Sequence, residues 1–154
     1  MMPVAPLVLD LPDPEATEAL GRKLSLRARA GDVILLEGPI GAGKSCLARA
    51  FIRARLGEAE EVPSPTFTLV QVYEADGAEI WHADLYRLTH PDEVWELGLD
   101  DAFTSAISLV EWPDRLGAHV PPDALRIGLD AAGEGRRAVI SGGRAGLAEE
   151  LADG

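Results

Sequence analysis

Val33-Ile34-Leu35-Leu36-Glu37 runs directly into Gly38-Pro39-Ile40-Gly41-Ala42-Gly43-Lys44-Ser45 and then into Cys46–Leu56, and the reading of this stretch decides the fold. The first five residues form a short apolar run after the Gly31-Asp32 turn, the pattern of a buried strand. The next eight match G-x-x-x-x-G-K-[ST] in full. Lys44–Leu56 reads as a helix closed by Gly57. A loop that wraps phosphates with its own backbone N–H groups needs glycine's freedom at strained angles and its lack of a side chain. The helix that follows points its positive end at the anion. Lys44 supplies a mobile cation, and Ser45 offers a hydroxyl oxygen to Mg²⁺. The chain holds two lysines, Lys23 and Lys44, so a chance match is improbable.

On the N-terminal side, Leu7–Leu11 reads as a short edge strand. Asp13 before Pro14 is a helix entrance, and Glu15–Arg29 places Ala16, Leu20, Leu24 and Ala28 on one face. On the C-terminal side, Phe67–Glu74 and Glu79–Leu85 flank Asp76-Gly77, a hairpin signal. Asp92–Leu97 reads as a short acidic helix and Ile107–Trp112 as an apolar strand. Leu125–Leu129 and Ala138–Ser141 read as late strands around the Gly133–Gly135 turn, and Gly146–Leu151 as a terminal helix. The order predicts one α/β domain over residues 1–154. Its sheet is mixed, parallel around the P-loop and antiparallel at the hairpin, with helices on both faces.

Composition narrows the class. Apolar residues make up 47% of the 154, enough for a core without staples. No membrane-length apolar run and no leader-like N-terminus is visible, and a single cysteine, Cys46, allows no internal disulfide. Together these lead to the expectation of a cytoplasmic protein. The net charge of −12 is uneven: eight basic residues stand against six acidic ones up to Arg55, and three against sixteen from Leu56 to Asp130. So acidic a middle grips a nucleic acid backbone poorly and reads as a solvated face or a docking surface for a basic partner.

A P-loop needs a carboxylate for its metal, usually at the end of a neighbouring strand. Glu111 ends Ile107-Ser108-Leu109-Val110-Glu111, and Asp84 sits in Ile80-Trp81-His82-Ala83-Asp84-Leu85-Tyr86, also at a strand end; at least one is expected to hold metal or position water. Ser64-Pro65-Thr66 reads either as turn chemistry or as a nucleotide-sensing loop. Cys46, at the helix start where a thiol pKa can fall, reads as a small residue under the loop. His82, His90 and His119 lack zinc-ligand spacing with the cysteine. Trp112, next to Glu111, reads as core or as a neighbour of the nucleotide.

Together Gly38–Ser45, Ser64-Pro65-Thr66-Phe67-Thr68-Leu69-Val70, His82-Ala83-Asp84-Leu85-Tyr86-Arg87-Leu88, Glu96-Leu97-Gly98-Leu99 and Leu109-Val110-Glu111-Trp112-Pro113 resemble the bacterial TsaE (YjeE-type) ATPases of tRNA threonylcarbamoyladenosine synthesis. The likeness implies a domain that binds ATP and Mg²⁺ and hydrolyses ATP weakly alone. It also implies a TsaB–TsaD pair as partner, with tRNA met only through that pair. It assigns Lys44 to the phosphates, Ser45 and Glu111 to the metal, Asp84 to the acid of the HxDLYRL-type motif, and Thr66 to a switch-like loop. Gly38, Pro39, Ile40, Gly41, Ala42, Gly43 and Cys46 join them as nucleotide contacts, with Thr17 and Arg136 at weaker positions. Where the family commonly reads GDLGAGKT, this chain has GPIGAGKS, so Pro39 removes one backbone N–H while Ser45 keeps the oxygen. A small-molecule kinase and a nucleotide-gated binding module are the competing classes. Arg87 and Arg115 alone lie between Arg55 and Arg126, too few for an arginine-bearing kinase lid. The guanine-reading N-K-x-D motif is absent.

Overall fold

The structure is a computed structural model that describes residues 6–39, 41–57, 70–75, 77–144 and 146–152. Seven strands form one mixed sheet: β1 (Leu7–Leu11), β2 (Val33–Glu37), β3 (Val70–Ala75), β4 (Ala78–Asp84), β5 (Ile107–Glu111), β6 (Leu125–Ala132) and β7 (Gly135–Gly142). Their spatial order is β1-β7-β6-β2-β5-β4-β3. β2 lies between β5 and β6, parallel to both, and β4 is parallel to β5. The pairs β3–β4, β6–β7 and β1–β7 are antiparallel. The sheet is therefore parallel at the centre and antiparallel at both margins. β1 is the edge strand its alternating burial implies.

Central position explains the composition of β2. Val33, Ile34, Leu35 and Leu36 are all buried, because the strand is covered on both faces. Ile34 and Leu36 join a core with Leu24 of α1 (Pro14–Arg27), Phe51 of α2 (Lys44–Leu56) and Leu151 of α5 (Leu147–Ala152). Val33 and Leu35 join the other core, with Val94 of α3 (Glu93–Glu96), Leu99 of α4 (Leu99–Ser105) and Leu116 of the 3-10 helix Pro113–His119. Helices thus flank the sheet on both sides, as the element order predicts.

α1 begins where Asp13 caps it: the Ala16 N–H donates to Asp13 Oδ1 at 2.8 Å, and Pro14 fills the first turn. Its buried face carries Thr17, Leu20, Gly21 and Leu24. At Gly21 the helix lies so close to α2 that a Cβ would stand 2.6 Å from the Leu47 carbonyl oxygen and 3.0 Å from Ala50 Cβ.

Three expectations change. α4 carries only two buried residues, Leu99 and Ala102, too few turns to show a period in the sequence. β5 stops at Glu111, because Trp112 turns into the left-handed region at φ 59°. β6 and β7 extend beyond the expected bounds, to Ala132 and from Gly135, since cross-strand pairing tolerates alanine and arginine that pattern reading leaves out. The N-terminal part of the expected strand Phe67–Glu74 lies outside the described residues. No helix among the described residues is long and apolar enough to cross a membrane.

Gly21→Val should lower unfolding free energy by about 1–3 kcal/mol through overpacking against a main-chain atom that cannot move aside. Urea denaturation with an unchanged m-value would report it.

Candidate functional site

The loop takes its shape from β2 and its neighbour β6. Gly38 has φ 140°, and a Cβ there would lie 2.2 Å from the Leu129 carbonyl oxygen, so only glycine fits against β6. Gly43, at φ 102°, is the N-cap of α2 and gives it no side-chain cap. The first-turn N–H groups of that helix have no intrahelical partners, and their dipoles add to the field at the loop. Ile40 lies outside the described residues, while Pro39 closes a turn by accepting from the Ala42 N–H at 3.2 Å.

Lys44 is 5% exposed. Its Nζ donates to the Gly38 carbonyl at 2.7 Å and lies 3.4 Å from the centroid of the Trp112 ring. The left-handed turn at Trp112 brings that indole beneath the ammonium, a cation–π arrangement. Tyr86 packs on the indole with centroids 5.0 Å apart. Burial lowers the Lys44 pKa from its ordinary value, and the carboxylates of Glu111, Asp84 and Asp114 oppose that fall.

The acids arrive from two parallel strands in register. Asp84 at the end of β4 lies opposite Glu111 at the end of β5, and Glu111 lies opposite Leu36 of β2. Glu111 is 2% exposed. Ser45 Oγ donates to its Oε1 at 3.1 Å, and His82 Nε2 stands 2.7 Å from its Oε2. Asp84 is partly buried. Burial raises its pKa above the usual carboxylate value; the Tyr86 N–H, donating to Oδ1 at 3.1 Å, pulls it back, and Glu111 pushes it up again.

The other flank of the loop holds a cleft of about 200 Å³ lined by Thr17, Gly43, Cys46, Asp13 and Arg136. Arg136 reaches in from β7 and donates to the Gly41 carbonyl at 2.8 Å. Thr17 is buried, with its methyl 3.6 Å from where a Gly43 Cβ would stand. The Cys46 thiol pKa is raised, by burial first and by Glu18 next.

The structure thus gathers Lys44, Ser45, Glu111 and Asp84 on one side of the loop and Thr17, Cys46 and Arg136 on the other. Thr66 and the rest of Ser64–Leu69 lie outside the described residues. Sequence reading missed the contact of His82 with Glu111. Its signal was the two-residue step from Asp84, which puts both side chains on one face of a strand. The donors suit a nucleotide phosphate with a divalent cation: a buried ammonium, an uncapped helix start, and hard oxygens of Ser45 and Glu111 within 3.1 Å.

A buried parallel strand, a glycine loop shaped by its neighbour and a helix opening on lysine and serine define a P-loop domain, of the nucleotide-binding class. A family profile described as "Threonylcarbamoyl adenosine biosynthesis protein TsaE" matches residues 11–139. The chain is 36% identical over 123 residues to "tRNA threonylcarbamoyladenosine biosynthesis protein TsaE" of Rickettsia conorii, covering 80% of this chain and 70% of that protein. It is also 36% identical over 128 residues to the protein of the same name from Bacillus subtilis, covering 82% of this chain and 79% of that protein. The crystal structure of Bacillus subtilis YdiB matches with a TM-score of 0.76 at 26% identity, over 99% of this chain and 97% of that one. The chain belongs to the TsaE family.

The raised Asp84 pKa carries a sign for stability. The folded protein holds this proton more tightly than the unfolded chain, so stability falls as pH rises from the ordinary Asp value to the folded one, and the penalty is complete above it. Asp84→Asn should therefore raise Tm at about pH 7 in metal-free buffer. The advantage should disappear near about pH 3, where the proton is bound in both states. Thermal melts at the two pH values check this.

Proposed function

We propose that this chain is the ATP-hydrolysing subunit of the machinery that forms N6-threonylcarbamoyladenosine next to the tRNA anticodon, working in the cytoplasm with a TsaB–TsaD-type pair. Family membership supports the pathway. The observation that carries the activity is the convergence of Lys44, Ser45 and Glu111 on one P-loop, with Asp84 in the neighbouring register position.

Loop N–H groups and the Lys44 ammonium bind and neutralise the phosphates of ATP. Ser45 and Glu111 would hold Mg²⁺, which when bound supplies charge neutralisation to the outer two phosphates. Because Ser45 directs its hydroxyl proton to Glu111, its oxygen lone pairs are left for the cation. Asp84, at the same sheet edge, orients the water that attacks in line. Thr17, Cys46 and Arg136 contact the nucleotide from the second cleft, and Thr66 does so from the switch-like loop. Turnover by the chain alone is slow in this reading, because partner contacts complete the site. The acidic middle of the sequence agrees with tRNA being held by the partners.

Steady-state ATP hydrolysis, measured alone and with a cognate TsaB–TsaD pair, tests the proposal. The pair should stimulate turnover, and Lys44→Ala or Glu111→Ala should reduce the stimulated rate by at least about tenfold, since each removes stabilisation of developing charge. Tight ATP binding without stimulation would instead identify a binding module. Transfer of phosphate to a small acceptor would identify a kinase.

A further inference from the structure

His82 and Glu111 are both buried, and the contact between them, 2.7 Å from Nε2 to Oε2, is the closest either side chain makes among the described residues. A carboxylate withdrawn from water needs donors to keep its charge. Among the described side chains, Glu111 has two: Ser45 Oγ on Oε1 and His82 Nε2 on Oε2. An ionised carboxylate only accepts, so the shared proton belongs to Nε2. That leaves the second ring nitrogen, Nδ1, to be satisfied elsewhere. Nδ1 is buried and finds no partner among the described residues. On a sheet face where its neighbours Ile80 and Leu109 belong to the apolar core, an orphaned polar atom is a liability that an aliphatic residue would avoid. The imidazole therefore weakens the packing at its own position, while it serves the carboxylate above it.

Register shows how it serves. His82 lies opposite Leu109, one side-chain repeat behind the Asp84–Glu111 pair on the same face of the sheet. With no exposed surface of its own, it touches nothing bound at the loop directly, and its hydrogen bond toward the loop runs to Glu111. Held at both oxygens, the Glu111 carboxylate cannot turn about its last bond.

We infer that His82 is a positioning residue. It clamps Oε2 of Glu111 so that Oε1, together with Ser45 Oγ, forms a fixed oxygen edge for the divalent cation that accompanies the nucleotide. This rests on the assignment of Ser45 and Glu111 to the cation under the proposed function. Outer partners of this kind tune metal affinity by orienting the ligand and setting its basicity.

The test is calorimetric titration of the full chain with ADP, with and without Mg²⁺; the ratio of the two affinities is the metal-dependent gain. His82→Ala and His82→Asn should lose about 10–100-fold of that gain while metal-free affinity is kept. His82→Gln should retain most of it, because a glutamine amide reaches the Nε2 position and an asparagine amide does not. Mn²⁺ binding followed by electron paramagnetic resonance should give the same order. Should His82→Ala fail to fold, the Gln and Asn variants, both polar and of similar burial cost, still decide the matter. An unchanged gain in His82→Asn, or an equal loss with and without metal, overturns the positioning role. An unchanged gain in Glu111→Ala would instead show that the cation assignment fails, and the role of His82 with it.

Discussion

The structure turns on the burial of one carboxylate at the end of a central strand. Glu111 is 2% exposed, and a charge so placed is tolerable only where donors are built around it. Those donors come from two different elements: Ser45 opens α2, and His82 lies inside β4. The loop, the helix behind it and two parallel strands are therefore fixed relative to one another by the requirement of a single side chain. Glu111 also constrains the main chain, since its carbonyl accepts from the Leu85 N–H at 3.1 Å and so extends the strand pairing past Asp84.

Around that point the helical layers are held by apolar burial and by cations placed on main-chain carbonyls. Arg55 donates from Nε to the Ser25 carbonyl at 2.9 Å and from a second nitrogen to that of Ala28. Lys23 donates to the carbonyl of Leu151. Arg144 spans the Asp32 carboxylate and the Arg27 carbonyl. Carbonyls at helix ends have no intrahelical partners, and long basic side chains satisfy them while their stems cover apolar surface. Part of the basic excess before Leu56 is thereby used structurally.

How much of this is legible in the sequence depends on the range of the interaction. β2, α2 and their junction are fully legible, because a bounded apolar run, the glycine spacing and Gly57 are local signals. So is the cap at Asp13. α4 is not, since seven residues with two buried positions carry no periodicity. Among the site residues, Lys44, Ser45 and Glu111 are legible as types in the right places. Their mutual contacts are not, because the Ser45–Glu111 contact spans 66 residues and depends on strand order. The turn at Trp112 is likewise hidden: nothing local makes a tryptophan adopt a positive φ, and it is the ammonium above and Tyr86 beside it that hold the ring there.

The hairpin of β6 and β7 touches the phosphate loop twice. Leu129 presses its carbonyl against Gly38, and Arg136 donates to the carbonyl of Gly41. These two residues stand near one another in the ladder, where Leu129 faces Ala138 and Ala131 faces Arg136. The span from Gly38 to Gly41 is thus gauged from outside, by the pairing of two strands remote from the motif in sequence. A slip of that ladder by one residue would send the guanidinium to the opposite face of the sheet. The loop would keep every glycine and still lose its calibration, so the hairpin belongs to the definition of the P-loop as much as the eight residues that name it.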